Sequence, residues 1–211
     1  RFVPPPAERV DPLMYDLQTF INSDWGPDPL VRCLVAHYQF EAVHPFMDGN
    51  GRVGRAVLAL HVQQALGHRY PWLYMSAYFE RYRDEYVDLM FRVSTEGRWS
   101  AWIEFCLRGV AQQAEDAVSR CERLLALRDE FLDKVDTHRP RLRDLVERLF
   151  ENPFVTIPQH QRTCGITYPT AKSDIELLID AGVLTELQKD VRPKTFCAIP
   201  IFSVIFSEPD S

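Results

Sequence analysis

No stretch of the 211 residues approaches the roughly 20 consecutive apolar positions that a membrane-spanning helix requires. The N-terminus shows no signal-peptide pattern, so neither insertion nor export is expected, and no membrane partner. Positive charge is scarce. Lys and Arg number 24 against 30 Asp and Glu, a net charge of −6, which argues against a general nucleic-acid binder working through a basic surface. The five cysteines (Cys33, Cys106, Cys121, Cys164 and Cys197) lie far apart with no CxxC pair. That spacing speaks against a disulfide or zinc framework and for reduced thiols in a cytoplasmic protein. Internal repeats and low-complexity segments are absent, and after the first few residues there is no strand signal until about residue 183.

What is present is helical periodicity. Pro4-Pro5-Pro6 forbids a helix through residues 1–10, which read as an extended strand or arm. Asp11-Pro12 then offers an N-cap and a first-turn proline, followed by Leu13, Leu17, Phe20 and Ile21 at helical spacing. Asp28-Pro29 repeats the start signal ahead of Leu30, Val31, Leu34, Val35 and Tyr38. Further helices are expected from about Gly51 to Leu66, closed by Gly67, from Tyr78 to Val93, and from Trp99 to about Val135. Because the chain opens at Arg1 on a proline-rich piece, upstream sequence is expected to be missing from it.

One segment carries chemistry: His44-Pro45-Phe46-Met47-Asp48-Gly49-Asn50-Gly51-Arg52-Val53-Gly54-Arg55, running straight into an apolar helix. A glycine-flanked loop at a helix N-terminus offers backbone N–H groups and the positive end of a dipole to a phosphate. Arginines add bidentate contacts to phosphate oxygens, and an aspartate beside them can hold Mg²⁺. A histidine, which titrates near ~6.5 when unperturbed, accepts a proton at cellular pH. The competing reading makes His44 and Asp48 two ligands of a transition metal, but no further His, Cys or carboxylate clusters nearby to complete the site. His37, His61 and His68 sit on helical stretches and read as packing or surface residues, and Arg81 and Arg83 as a solvated, salt-bridged face.

This segment fits the signature His-x-Phe-x-Asp/Glu-Gly-Asn-Gly-Arg-x-x-Arg at every defined position, and in this the chain resembles the Fic (filamentation induced by cAMP) family of protein adenylyltransferases. The likeness extends to FVPPPAERV, similar to the family's substrate-binding flap, to HYQFEAVHPF, similar to its lead-in helix, and to the helices after the motif. It implies a mainly α chain: a Fic-fold helical domain with a short β flap over residues 1–136, lacking its N-terminal part. The implied reaction transfers AMP from Mg·ATP to a Ser, Thr or Tyr hydroxyl of a target protein, releasing pyrophosphate; removal of AMP by the same loop stays open. The resemblance makes His44 the general base and Asp48 the Mg²⁺ ligand. It makes Gly49, Asn50 and Gly51 the anion nest, with Arg52 and Arg55 on the outer phosphates. Phe46 points into the core, and Gly54 only keeps the helix start slim. Arg1 and Phe2 match flap positions that touch nucleotide, and Tyr86 matches an adenine-pocket tyrosine, against the equal alternative of a core aromatic. The target segment binds along the flap edge, and a homodimer stays open. The family's inhibitory glutamate segment, which pairs with the second motif arginine, is not found here and is expected upstream.

Near Asp136-Thr137-His138-Arg139-Pro140 the character changes, which places a second domain at residues 137–211. Helices over 142–150, 157–164 and 168–181, then β-like segments at 183–187 and 195–199, follow the order of a winged helix-turn-helix. Residues 139–200 hold nine Lys/Arg against eight Asp/Glu, and the would-be recognition helix carries Asp174, Glu176 and Asp180 beside Lys172. Such a surface disfavours DNA, so a protein-interaction or dimer-support role is preferred. The alternative for the whole chain is a DNA-binding regulator using the Fic part as a nucleotide sensor.

Overall fold

A computed structural model describes residues 3–23, 28–135, 139–187 and 192–206, and the chain falls into two compact units, residues 1–117 and 118–211. The regular structure of the first unit, among its described residues, is all helix. Helix α1 (Ala7–Ile21) packs its Leu17 against Ala36 and Phe40 of α2 (Pro29–Val43). Asp28 caps α2 as expected, its carboxylate accepting from the N–H groups of Leu30 and Val31 at 2.8 and 3.2 Å. Then come α3 (Asn50–Ala65), α4 (Met75–Arg81), α5 (Arg83–Glu96) and α6 (Trp99–Lys134).

Leu34 and Tyr38 of α2, Leu58 and Val62 of α3, Tyr78 and Phe79 of α4, Leu89 and Val93 of α5, and Trp102 and Phe105 of α6 share one core. The indole N–H of fully buried Trp102 donates to the Leu34 carbonyl at 3.2 Å, so the largest side chain brings its polar group in already satisfied.

Helix boundaries depart from expectation in two places. Helix α1 starts at Ala7, behind Pro6, and takes Pro12 into its second turn. Ala7, Glu8 and Arg9 form helix readily, Arg9 N–H already bonds the Pro6 carbonyl at 2.9 Å, and Pro12 forfeits only its own N–H bond. Residues 3–6 take no regular structure, while Arg1 and Phe2 of the expected flap lie outside the described residues. The expected helix over 78–93 is two helices, because Tyr82 leaves helical geometry (φ −110°, ψ 38°). By contrast α6 is unbroken for 36 residues.

The second unit begins inside α6, at Val118, ahead of the composition change near residue 136. Leu124, Leu127, Phe131 and Leu132 of α6 belong to its core, which explains the early start. Residues 136–138 and 188–191, part of the expected boundary and of the polar stretch between the last two strands, lie outside the described residues. The order is α7 (Pro140–Glu151), β1 (Phe154–Thr156), α8 (Ile157–Cys164), α9 (Tyr168–Asp180), β2 (Thr185–Glu186), β3 (Thr195–Cys197) and α10 (Ile199–Phe206). The strands form one antiparallel sheet in the order β1-β3-β2, with Val155 opposite Phe196 and Thr185 opposite Cys197. Strand β1 was not foreseen, since three residues are too short to show an alternation. Ile199 opens a helix rather than closing a strand.

A buried imidazole makes the first unit acid-sensitive. His37 is 2% exposed, lies flat on Phe79 (centroids 5.4 Å apart, planes at 3°) and shares a 3.2 Å hydrogen bond between Nε2 and the Tyr86 hydroxyl. Burial pushes its pKa down from 6.5 to about 4, against a smaller upward pull from the Gly54 backbone. The unfolded chain therefore takes up this proton first, and stability held above pH 6.5 is lost as the pH falls towards 4, by up to about 1.4 kcal/mol per pH unit. His61, also lowered by burial, acts in the same direction. The melting midpoint is expected to fall over this window in a thermal titration and to fall less in His37→Phe. Equal acid sensitivity in that variant would show that the imidazole takes no part.

Candidate functional site

The candidate loop joins α2 to α3, and its course is set by three backbone devices. His44, the C-cap of α2, is left-handed (φ 51°, ψ 58°), alone among the described non-glycine residues in having a positive φ. Its N–H closes on the Phe40 carbonyl at 3.0 Å. A residue with a Cβ costs about 1–2 kcal/mol in this conformation, where glycine is the easy choice. A histidine kept there is a side chain placed at a cost in stability. Gly49, the N-cap of α3, is left-handed as well (φ 82°).

The third device is Asn50. Its side chain accepts from the Phe46 N–H at 2.8 Å and donates to the Phe46 carbonyl at 2.7 Å, closing the loop through one buried amide. This corrects the role expected of Phe46. Its ring is 48% exposed, touched by Phe40 at a centroid distance of 6.3 Å, and does not enter the core. Asn50 fixes the path instead, because two hydrogen bonds grip the backbone itself. With its carbonyl oxygen and one amide hydrogen so occupied, the Asn50 side chain is committed to the loop, and its backbone N–H stands at the helix start.

Around this frame stand the charges. The Arg52 guanidinium reaches Asp48 Oδ2 at 3.3 Å, while Asp48 Oδ1 accepts from the Gly49 N–H at 2.7 Å. Both side chains are exposed, that of Asp48 at 93%, so the pair contributes little to stability and separates readily. Arg55 is half-buried, with Nε donating to Ser76 Oγ of α4 at 3.1 Å. A Cβ on Gly49 would lie 3.3 Å from Arg52 Nη2, and one on Gly51 3.0 Å from Arg55 Nη1. Both guanidinium groups therefore lie against the loop backbone, where two larger residues would crowd them.

Gly54 does more than keep the helix slim. A Cβ there would meet Glu41 Oε1 at 2.2 Å and the Phe40 ring at 2.9 Å, so α3 approaches α2 closely only because residue 54 has no side chain. Glu41, 9% exposed, has one oxygen without a hydrogen-bond partner, and burial raises its pKa against the pull of Arg55 and His44. Ser76, Glu41 and His37 were all missed as neighbours of the loop, since they come from positions with no motif of their own. A glutamate amid the apolar positions of α2 was the one visible signal.

His44, Asp48, Gly49, Asn50, Gly51, Arg52 and Arg55 thus share one loop and the first turns of one helix. The helix start adds N–H groups that lack intrahelical acceptors. For a divalent cation the donor set is one exposed carboxylate, Asp48. That fits Mg²⁺, which takes one or two carboxylates and completes its shell with water and phosphate oxygens. No group of three or more His, Cys, Asp or Glu placed so that it could hold a metal ion occurs among the described residues, so nothing adds to His44 and Asp48 as a transition-metal pair. Tyr86 packs against Phe79 (4.7 Å) and Trp102 (5.5 Å) and bonds His37, and burial raises its hydroxyl pKa well above the usual range. These are the contacts of a core aromatic. Arg1 and Phe2 lie outside the described residues.

Comparison with known proteins agrees with this loop. Residues 1–62 match the Fic/DOC family model. A probable protein adenylyltransferase of Aquifex aeolicus (strain VF5) is 37% identical over 67 residues, 31% of this chain and 21% of the relative. The protein adenylyltransferase fic-1 of Caenorhabditis elegans is 42% identical over 62 residues, 28% of this chain and 12% of the relative. A crystal structure of a Fic family protein from Desulfovibrio desulfuricans G20 superimposes with a TM-score of 0.51 at 22% identity, covering 92% of this chain and 56% of that one. The region that carries the loop is therefore similar to the Fic/DOC family, and the fold of the chain is mainly α. The matches span about a fifth or less of the curated relatives' length.

The glycine contact supplies a stability test. Gly54→Ala is expected to cost about 1–3 kcal/mol by overpacking against Phe40 and Glu41, read as a lowered midpoint in urea unfolding. An unchanged midpoint would mean that α2 and α3 are not in close contact there.

Proposed function

We propose that this chain transfers AMP from Mg·ATP to a hydroxyl side chain of another protein. The observation that carries the reading is the left-handed His44 beside a helix start flanked by two guanidinium groups. Phosphates are recognised by the N–H groups of Asn50 and Gly51 and by Arg55, which Ser76 already holds over the loop. Arg52 turns from Asp48 to the outer phosphates, and the freed carboxylate becomes the cation ligand. Asp48 would hold the magnesium ion of Mg·ATP, which would supply positive charge against the departing pyrophosphate.

The target hydroxyl oxygen attacks the α-phosphorus, the bond from phosphorus to the oxygen bridging the β-phosphate breaks, and the hydroxyl proton passes to a neutral ring nitrogen of His44. The balance is closed: AMP joins the oxygen, pyrophosphate leaves, and the imidazole carries the proton away. The same residues serve removal of AMP, with His44 returning the proton. Residues 3–6, free of regular structure, suit main-chain pairing with a target segment.

We also read the second unit as a winged helix, on the order helix, strand, helix, helix, strand, strand. For DNA binding, α9 offers little: Lys172 is paired with Glu176 at 3.4 Å. Protein contact remains the preferred role.

Labelled ATP, Mg²⁺ and cell lysate test the reaction. Label from the α-phosphate is expected on protein, and His44→Ala is expected to lower its incorporation by about 10²- to 10⁴-fold. Label carried over from the γ-phosphate would sink the proposal in favour of kinase chemistry, and α-label indifferent to residue 44 would remove the base.

A further inference from the structure

We propose that Cys164 is a modification site, a thiol made reactive towards peroxides by His160, Asp174 and Arg148. These groups converge from three helices of the second unit. Cys164 Sγ lies 3.6 Å from His160 Nδ1, and His160 Nε2 lies 2.9 Å from Asp174 Oδ2. Arg148 Nη2 stands 3.4 Å from the sulfur and 3.3 Å from Nδ1. Arg141 grips Asp174 with two hydrogen bonds of 2.6 and 2.9 Å.

The protonation pattern follows from these partners. Burial alone raises the Asp174 pKa, but the hydrogen bonds from Arg141 and His160 outweigh it and hold the carboxyl below its usual range. An ionised carboxylate only accepts, so His160 Nε2 must carry the hydrogen, which leaves the Nδ1 lone pair facing the thiol and Arg148. Thiol, imidazole and carboxylate then form a chain in which each group orients the next, as in an activated nucleophile and its base. The imidazole and carboxylate are buried, whereas Cys164 is partly exposed at the end of α8. A cavity of about 160 Å³, lined by Arg148, His160, Gln159 and Thr163 among others, opens beside the same imidazole.

The end of a helix disfavours a thiolate, so its stabilisation falls to Arg148, Arg141 and the protonated imidazole. In the reaction the S–H proton moves to Nδ1, and the sulfur attacks one peroxide oxygen. An S–O bond forms as the O–O bond breaks. The leaving alkoxide or hydroxide takes the proton from the imidazole, the sulfur is oxidised by two electrons to sulfenic acid, and the peroxide is reduced to alcohol or water. Gly165, left-handed (φ 63°), and the turn into α9 follow at once, so an added oxygen disturbs the α8–α9 corner.

Cys121, exposed on α6, is the internal control, with buried Cys33, Cys106 and Cys197 as blanks. The whole chain is treated with limiting hydrogen peroxide and a sulfenic-acid trap, then mapped by peptide mass spectrometry. Cys164 is expected to be labelled at least about tenfold faster than the more exposed Cys121, because only Cys164 has an imidazole and a guanidinium within reach of its sulfur. Arg148→Gln, a change at a partly exposed position, is expected to bring Cys164 to the Cys121 rate. Labelling of Cys164 no faster than Cys121 in the wild type overturns the proposal, whatever the variant does. A rate unaffected by Arg148→Gln and also by His160→Gln in folded protein overturns the assignment of its cause.

Discussion

The two hydrogen bonds between the Asn50 amide and the backbone of Phe46 hold the site together. Without them the six residues from His44 to Gly49 would be a loop tied only at its ends. With them the left-handed turn at His44 and the left-handed cap at Gly49 stay at a fixed separation, and the imidazole keeps its place relative to the start of α3. Both backbone groups of Phe46 are used, so neither needs water or another partner. A side chain that reads as one more polar group in a phosphate loop is in fact the clamp that gives the loop a single shape.

Charge is layered around this clamp. Arg52 and Asp48 lie in solvent, where their attraction is weak and exchange with a phosphate or a cation is easy. Arg55 is half-buried and bonded to Ser76, so it is oriented before any ligand arrives. Glu41 lies deeper, where burial raises its pKa against the opposing pull of Arg55 and His44. Below these, His37 and Tyr86 join the loop's supporting helices to the aromatic core, at the price of acid sensitivity.

The candidate site was legible as a group in the sequence because its residues are contiguous: glycines, asparagine, arginines and histidine within twelve positions. Helix α2, with its Asp28 cap, and helices α3, α6, α8 and α9 were legible for a similar reason, as periodicity and capping act over one turn. Local signals failed at three places. Pro12 reads as a helix start but sits inside α1, and Tyr82 divides an otherwise continuous apolar pattern. The core of the second unit reaches back into α6, where no compositional change marks it.

The sequence by itself determined which groups one short segment assembles, since backbone freedom, N–H groups and nearby cations there need nothing from the rest of the chain. Tertiary structure decided which of those groups are available to a ligand. It committed the Asn50 amide to the loop, turned Phe46 outward, set Arg55 on Ser76 and required residue 54 to have no side chain. It also brought Cys164, His160, Asp174 and Arg148 together from three helices. Spacing along a chain specifies a local turn, whereas distances between helices are set by packing, and Ser76, Glu41, Asp174 and Arg148 lie on other helices than the groups they meet.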